Sequence, residues 1–194
     1  MMEVKDLTAR TRKGKLLLDH VSFTLEPGGC TGLTGASGSG KTTLLKALLG
    51  VSDSDVAICG GQFLLDGKDL LQQTEKVRRE LCGTTLGFIP QNPMTAFNLH
   101  VSVGAQMAET FRKRLHIEKR AAQKLSMDAL KKVHLTDSER VYRAYPGQLS
   151  GGMLQRVTMA ILIGLSPRYI FADEPTSALD EENKSYLIQE LARM

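Results

Sequence analysis

The run Gly35-Ala36-Ser37-Gly38-Ser39-Gly40-Lys41-Thr42 sets three glycines, a lysine and a hydroxyl in the pattern GxxxxGK[ST]. Glycines at that spacing let consecutive backbone N–H groups turn toward a single anion, and the lysine adds a point charge beside them. The chemistry is phosphate binding. Lys41 is expected to reach the β- and γ-phosphates of a nucleoside triphosphate. The Thr42 hydroxyl is expected to complete a Mg²⁺ shell otherwise made of phosphate oxygens, water and an acidic residue. Thr43 belongs to the same cradle, in the opening turn of the helix that follows.

A carboxylate at the end of a neighbouring strand would hold that magnesium through water. Tyr169-Ile170-Phe171-Ala172 is a short apolar run that stops at Asp173-Glu174-Pro175. Asp173 takes the metal role. Successive side chains on a strand face opposite sides, so Glu174 is aimed differently and is expected to polarise the attacking water as general base.

These residues need elements to place them. Glu3 to Thr8 and Val21 to Leu25 alternate with period two and read as antiparallel strands, the second ending at the turn Pro27-Gly28-Gly29. Cys30 to Thr34 reads as a short strand entering the glycine loop, and Thr42 to Leu49 as a helix ending at Gly50. Strand, loop and helix stand in the order that phosphate binding requires. Gly61 to Leu65 leads into Asp66-Gly67, a hairpin turn that predicts more antiparallel sheet. Leu86 to Ile89 reads as a buried strand ending at Pro90. From about Val101 to Leu165 the pattern is helical, with breaks near His116, Thr136 and Tyr145-Pro146-Gly147. Arg168 to Ala172 is the last strand signal. Glu181 to Ala192 reads as a helix with Tyr186, Leu187, Ile188 and Leu191 available to pack inward.

Composition agrees with a globular chain. Its 194 residues suit one substantial core with an inserted subdomain, and 42% hydrophobic against 24% charged residues excludes the disordered class. The longest nearly apolar stretch, Val157 to Leu165, has nine residues, whereas a bilayer span needs roughly 20. The N-terminal MMEVKDLTAR carries charges where a secretory signal needs an apolar run, so a cytosolic chain is expected. Cys30, Cys59 and Cys82 show no CxxC spacing and read as ordinary thiols. Net charge is +4, and residues 112–143 hold ten Lys/Arg against four Asp/Glu.

Leu149-Ser150-Gly151-Gly152-Met153-Leu154-Gln155-Arg156 lies seventeen residues before Asp173. Ser150 and the two glycines make a second helix N-terminus able to meet phosphate. The segment resembles the signature of the ATP-binding cassette (ABC) family, and the resemblance covers essentially the whole chain. It implies an α/β fold: a P-loop NTPase (RecA-like) core with an antiparallel β subdomain and an inserted helical subdomain. On that division residues 1–91 and 166–194 form the nucleotide-binding core of a single ATPase domain and 92–165 the helical part. It further implies that Ser150, Gly151 and Gly152 close over the ATP of a partner cassette. Gln91 matches the Q-loop glutamine, which contacts magnesium and water. Ser177 to Asp180 matches the D-loop, with Asp180 facing the partner.

Within the family, Gln91 to Asn98 and Tyr145 to Arg156 look like importers of dipeptides, oligopeptides, nickel and metallophores, with Gln91-Asn92-Pro93 and Ala96-Phe97-Asn98 leaning toward nickel. The resemblance implies a second, non-identical cassette, membrane permease subunits, an extracytoplasmic binding protein acting indirectly, and a place on the cytoplasmic face of the membrane. Two departures stand out. The adenine-stacking position falls on Thr11, between Arg10 and Arg12, with no aromatic nearby. The family's switch histidine comes after a further strand beyond Glu174, and this sequence ends twenty residues after Glu174. A C-terminally truncated cassette, with sheet edge left uncovered, is therefore expected. His20, His100, His116 and His134 read as surface or packing residues. Two rival readings remain: a soluble cassette ATPase whose basic segment meets nucleic acid or ribosomes, and a nucleotide-binding piece without turnover.

Overall fold

The computed structural model describes residues 1–51, 55–135, 137–176 and 181–193, which divide into two compact units, Met1–Cys82 and Gly83–Met194. The first contains β1 (Met2–Thr11), β2 (Leu16–Leu25), α1 (Lys41–Leu49), β3 (Val56–Leu65), β4 (Lys68–Asp69) and α2 (Glu75–Leu81). Its four strands form an antiparallel sheet in the order β2-β1-β3-β4.

Alternation in β1 changes phase midway. Met2 and Val4 are buried, and so are Leu7 and Ala9, although strict period two would put Asp6 and Thr8 on that face. A bulge resolves the conflict: Asp6 adopts φ 48, and its N–H donates to Ser22 Oγ at 2.8 Å. Gly61 of β3 crosses at this point with φ 96, and a Cβ there would stand 2.6 Å from the Asp6 carbonyl carbon. Only glycine allows the two backbones to approach so closely. At the far end of β3, Asp66 and Gly67 take φ 49 and 79, the two left-handed residues of a tight hairpin turn.

The expected strand at Cys30 to Thr34 is absent; these residues are irregular and exposed. Gly32 and the two threonines leave the segment little apolar surface to bury, and no ladder hydrogen bond reaches it among the described residues. The helix beyond the glycine loop forms as expected, and left-handed Gly50 stops it, its N–H donating to Ala47 O and Lys46 O.

The second unit contains β5 (Leu86–Ile89), α3 (Val103–Leu115), α4 (Lys119–Lys132), α5 (Ser138–Arg143), α6 (Gly151–Leu165), β6 (Tyr169–Ala172) and α7 (Glu181–Arg193). β5 and β6 pair in parallel, from Leu86 opposite Tyr169 to Ile89 opposite Ala172. The predicted helical breaks hold. His116 ends α3 in the left-handed conformation, and Asp137 opens α5 by accepting the Arg140 N–H at 2.9 Å. Thr136 itself lies outside the described residues. Met107, Phe111, Leu130, Leu154, Met159 and Leu187 are fully buried in one core. Ile188, expected to pack inward on α7, is instead 59% exposed, while Leu187 and Leu191 take the inner face. Residues four apart share a helix face and the intervening one is turned away. The side chain of Tyr186 lies outside the described residues.

Gly164, inside α6, faces the Phe111 ring so closely that a Cβ would overlap it. Phe111 is 0% exposed and has no room to withdraw. Gly164→Ala is therefore expected to destabilise the unit by about 2 kcal/mol, overpacking outweighing the better helix propensity of alanine. Urea unfolding checks this, with Gly147→Ala as the control, since a Cβ at Gly147 meets nothing within 4 Å.

Candidate functional site

The loop before α1 is shaped by its glycines. Gly38 and Gly40 have φ 78 and 94, and residues 35 to 39 are exposed. A Cβ on Gly40 would stand 2.7 Å from Leu17 O, so the helix must open on glycine. Gly40 offers no side chain to cap α1, and the first turn contains no acidic residue. The opening amides and the positive end of the helix dipole are thus left to an incoming anion. Lys41 Nζ donates to Gly35 O at 2.8 Å and to Ala36 O at 2.9 Å, folding the ammonium back over the loop. Thr42 is exposed in the same turn, and Thr43 is half-buried behind it. Charge, amides and hydroxyl thus stand within one loop and helix turn, donors of the kind that phosphate oxygens take.

In the second unit, β5 and β6 end side by side and bring Gln91 and the Asp173-Glu174 pair together. The Asp173 N–H continues the ladder by donating to Ile89 O at 2.9 Å, and the residue is 7% exposed. Glu174 is exposed, and its Oε2 accepts from Gln91 Nε2 at 2.7 Å. The two carboxylates do differ in aim, but the cause is not strand alternation. β6 ends at Ala172, and Glu174 turns outward in the left-handed conformation, φ 43. For a residue without glycine's freedom, and directly before Pro175, this backbone costs on the order of 1–3 kcal/mol.

Among the described residues no group of three or more His, Cys, Asp or Glu is placed to hold a metal. Mg²⁺ takes one or two protein oxygens and completes its shell with phosphate and water. Thr42 of the first unit, and Gln91 and Asp173 of the second, each carry an oxygen of that hard type.

α6 supplies the second anion surface. Ser150 Oγ caps the helix by accepting from Met153 N at 3.2 Å, and Gly151 beside it is exposed. A cavity of about 350 Å³ next to this end is lined by Ser150, Gly152, His134, Arg140 and Arg156, among others. Asp137, which pairs with Arg140, lines the cavity too, so it carries both signs of charge. Deeper in α6, Gln155 Nε2 donates to Pro175 O at 3.3 Å, a contact that motif spacing does not reveal.

Other candidates separate from this machinery. His20, His100, His116 and His134 are all exposed. Arg10 and Arg12 are exposed, and Arg10 Nη1 donates to Gly14 O at 3.3 Å. Cys30, Cys59 and Cys82 form no disulfide with one another. The D-loop residues Ser177 to Asp180 lie outside the described residues. The basic stretch is partly paired. Arg112 and Lys113 hold the Glu109 carboxyl down at about 2, the Arg112 hydrogen bond being the largest cause. Arg140 and Arg143 pair with Asp137 and Glu139.

A glycine loop opening a capless helix, a lysine folded over it and a carboxylate pair at a strand end define a nucleotide-binding protein. The family profile described as ABC transporter matches residues 18–177, and the chain belongs to that family. The metal-staphylopine import system ATP-binding protein CntD of Staphylococcus aureus is 34% identical over 181 residues, 93% of this chain and 66% of that one. The dipeptide transport ATP-binding protein DppD of Escherichia coli is 34% identical over 177 residues, 91% of this chain and 54% of that one. The chain thus spans about half to two thirds of the length of these curated relatives. The ATP-binding cassette MJ0796, solved as a dimer in a post-hydrolysis state with ADP and Pi, has a TM-score of 0.85 at 24% identity. That likeness covers 98% of this chain and 81% of that one, and it establishes the cassette fold.

Proposed function

We propose that the chain is the ATP-binding subunit of an ABC importer, coupling ATP binding and hydrolysis to uptake of a metal, metallophore or peptide through a membrane permease. The observation that carries this reading is the Gln91–Glu174 hydrogen bond of 2.7 Å, which sets an exposed carboxylate beside the glutamine expected to meet magnesium and water. In this reading Gly35 to Thr43 hold the phosphates, with Lys41 on the β- and γ-oxygens. Thr42, Gln91 and Asp173 would hold Mg²⁺, which when bound neutralises phosphate charge. Glu174 takes the proton of the attacking water. Ser150, Gly151 and Gly152 meet the nucleotide of a second, non-identical cassette. The relatives named for metal-staphylopine and dipeptide transport support an importer; the choices at residues 91–98 favour nickel or a metallophore.

A permease needs an apolar landing on the cytoplasmic side. Leu99 and Tyr145 are 52% and 48% exposed, and the Val103 N–H to Ala144 O hydrogen bond of 2.8 Å ties their two segments together. No helix among the described residues is long and apolar enough to cross a membrane, so membrane association in this reading runs through a partner. The test is affinity purification of the tagged protein from detergent-solubilised cells. Permease subunits are expected in the eluate, and Leu99→Asp with Tyr145→Arg is expected to lose most of them while keeping ATP affinity within about twofold. Salt-sensitive recovery of nucleic acid in place of membrane subunits would overturn the importer reading.

A further inference from the structure

The turn after β6 is held by hydrogen bonds from three places in the chain. Asp173 N–H donates to Ile89 O, Gln91 Nε2 to Glu174 Oε2, and Gln155 Nε2 to Pro175 O. The first is strand ladder and the second is the expected glutamine. The third comes from the interior of α6, the helix that Ser150 caps.

Gln155 is 4% exposed, between Leu154 and Val157, which are both 0% exposed. A primary amide in such a place is costly unless its hydrogen bonds are made, and an apolar residue of the same size would fill the space without that cost. Its Nε2 donates to the carbonyl one residue past Glu174. The amide therefore fixes the far side of the turn whose near side is the left-handed, pre-proline Glu174. A conformation that disfavoured persists only where its surroundings over-determine it.

We propose that Gln155 is a positioning residue for Glu174, tying the helix of the second anion surface to the turn that aims the general base. This rests on the reading of Glu174 as that base. Through Gln155, a displacement of α6 at Ser150 is passed to the Glu174 turn within the same chain. Gln155 itself touches no nucleotide.

The experiment measures Mg·ATP turnover and ATP affinity of the full chain with its partner cassette, for Gln155→Met and Gln155→Asn, each alone and in a Glu174→Gln background. Met matches the volume without the donor, and Asn keeps the donor but is one methylene too short. Both are expected to lower kcat roughly ten- to hundredfold with ATP affinity unchanged, because a base displaced by an ångström loses about that much. Both are expected to have no further effect once Glu174 is Gln, since a residue acting only through the base has nothing left to act on. Unchanged kcat in the single variants overturns the proposal. So does a fall of equal size in both backgrounds, a parallel loss of ATP affinity, or failure of both variants to fold, since each marks Gln155 as merely structural. If Glu174→Gln alone leaves turnover intact, it is the general-base reading that fails, and the two failures are told apart.

Discussion

Glu174→Gln is expected to stop ATP turnover, by roughly 10²- to 10⁴-fold, while leaving ATP affinity within about twofold. The substitution is close to isosteric. The new amide oxygen can still accept from Gln91 Nε2, as Glu174 Oε2 does at 2.7 Å, so the geometry of the turn is kept. What is lost, on the proposed reading, is the anionic lone pair that would take the proton of the attacking water. Affinity survives because the phosphate cradle, Gly35 to Thr43, is untouched, and its lysine is anchored within its own loop. Steady-state phosphate release and equilibrium ATP binding check both halves. Turnover within twofold of the unsubstituted protein would remove Glu174 from its role. The variant is also expected to accumulate with ATP bound, which makes it the form in which a partner cassette is best captured.

Glu174 also marks the limit of what periodicity can foretell. The pattern Tyr169 to Asp173 was enough to locate the strand end and its carboxylates, because a short apolar run closed by Asp-Glu-Pro has few other readings. The opposite aims of Asp173 and Glu174 were anticipated for a reason that the structure replaces: the strand has already ended, and a left-handed residue turns the side chain out. Such a residue is invisible in a single sequence, since the groups that hydrogen-bond its turn, Ile89, Gln91 and Gln155, come from elsewhere in the chain. Asp6 follows the same logic. Its bulge depends on Gly61 of another strand, so alternation in β1 alone could not predict the phase change that buries Leu7 and Ala9.

Where hydrophobic patterning fails, its physical basis is missing too. α2, unforeseen in the sequence, buries none of its residues and so carries no apolar stripe. Its local signals are the cap, Thr74 Oγ1 accepting from Val77 N at 3.4 Å, and the Glu75–Arg79 pair one turn apart. Cys30 to Thr34 erred in the other direction: a strand depends on ladder partners that neighbouring residues do not encode. Gln155 was legible only as a mark of kinship. Its polar side chain amid the buried positions of α6 was the available clue to a structural duty. The shape of the glycine loop and the helix after it was more legible, because its glycines answer to backbone needs that lie within the loop or, like Gly40 against Leu17, on the strand before it.

Lys41→Ala differs from the Glu174 variant by removing binding and turnover together. The ammonium gathers Gly35 O and Ala36 O at 2.8 and 2.9 Å, and on the proposed reading it also supplies the positive charge for the phosphates. Both carbonyls sit in an exposed loop, so water replaces the lost donor and folding is expected to be unaffected, with Tm within about 2 °C. The lost charge has no substitute at the opening of α1, where Gly40 offers no side chain and the remaining donors are neutral amides. Turnover is expected to fall roughly 10²- to 10³-fold, the usual cost of one preorganised donor on developing charge, and ATP affinity at least tenfold. Lys41→Arg is expected to restore little of either. A planar guanidinium has a different shape from a compact ammonium and does not reproduce its point charge or its hydrogen bonds to Gly35 O and Ala36 O. Calorimetric titration with Mg·ATP distinguishes this pattern from that of Glu174→Gln. Undiminished affinity in Lys41→Ala would mean that the lysine serves only to shape the loop.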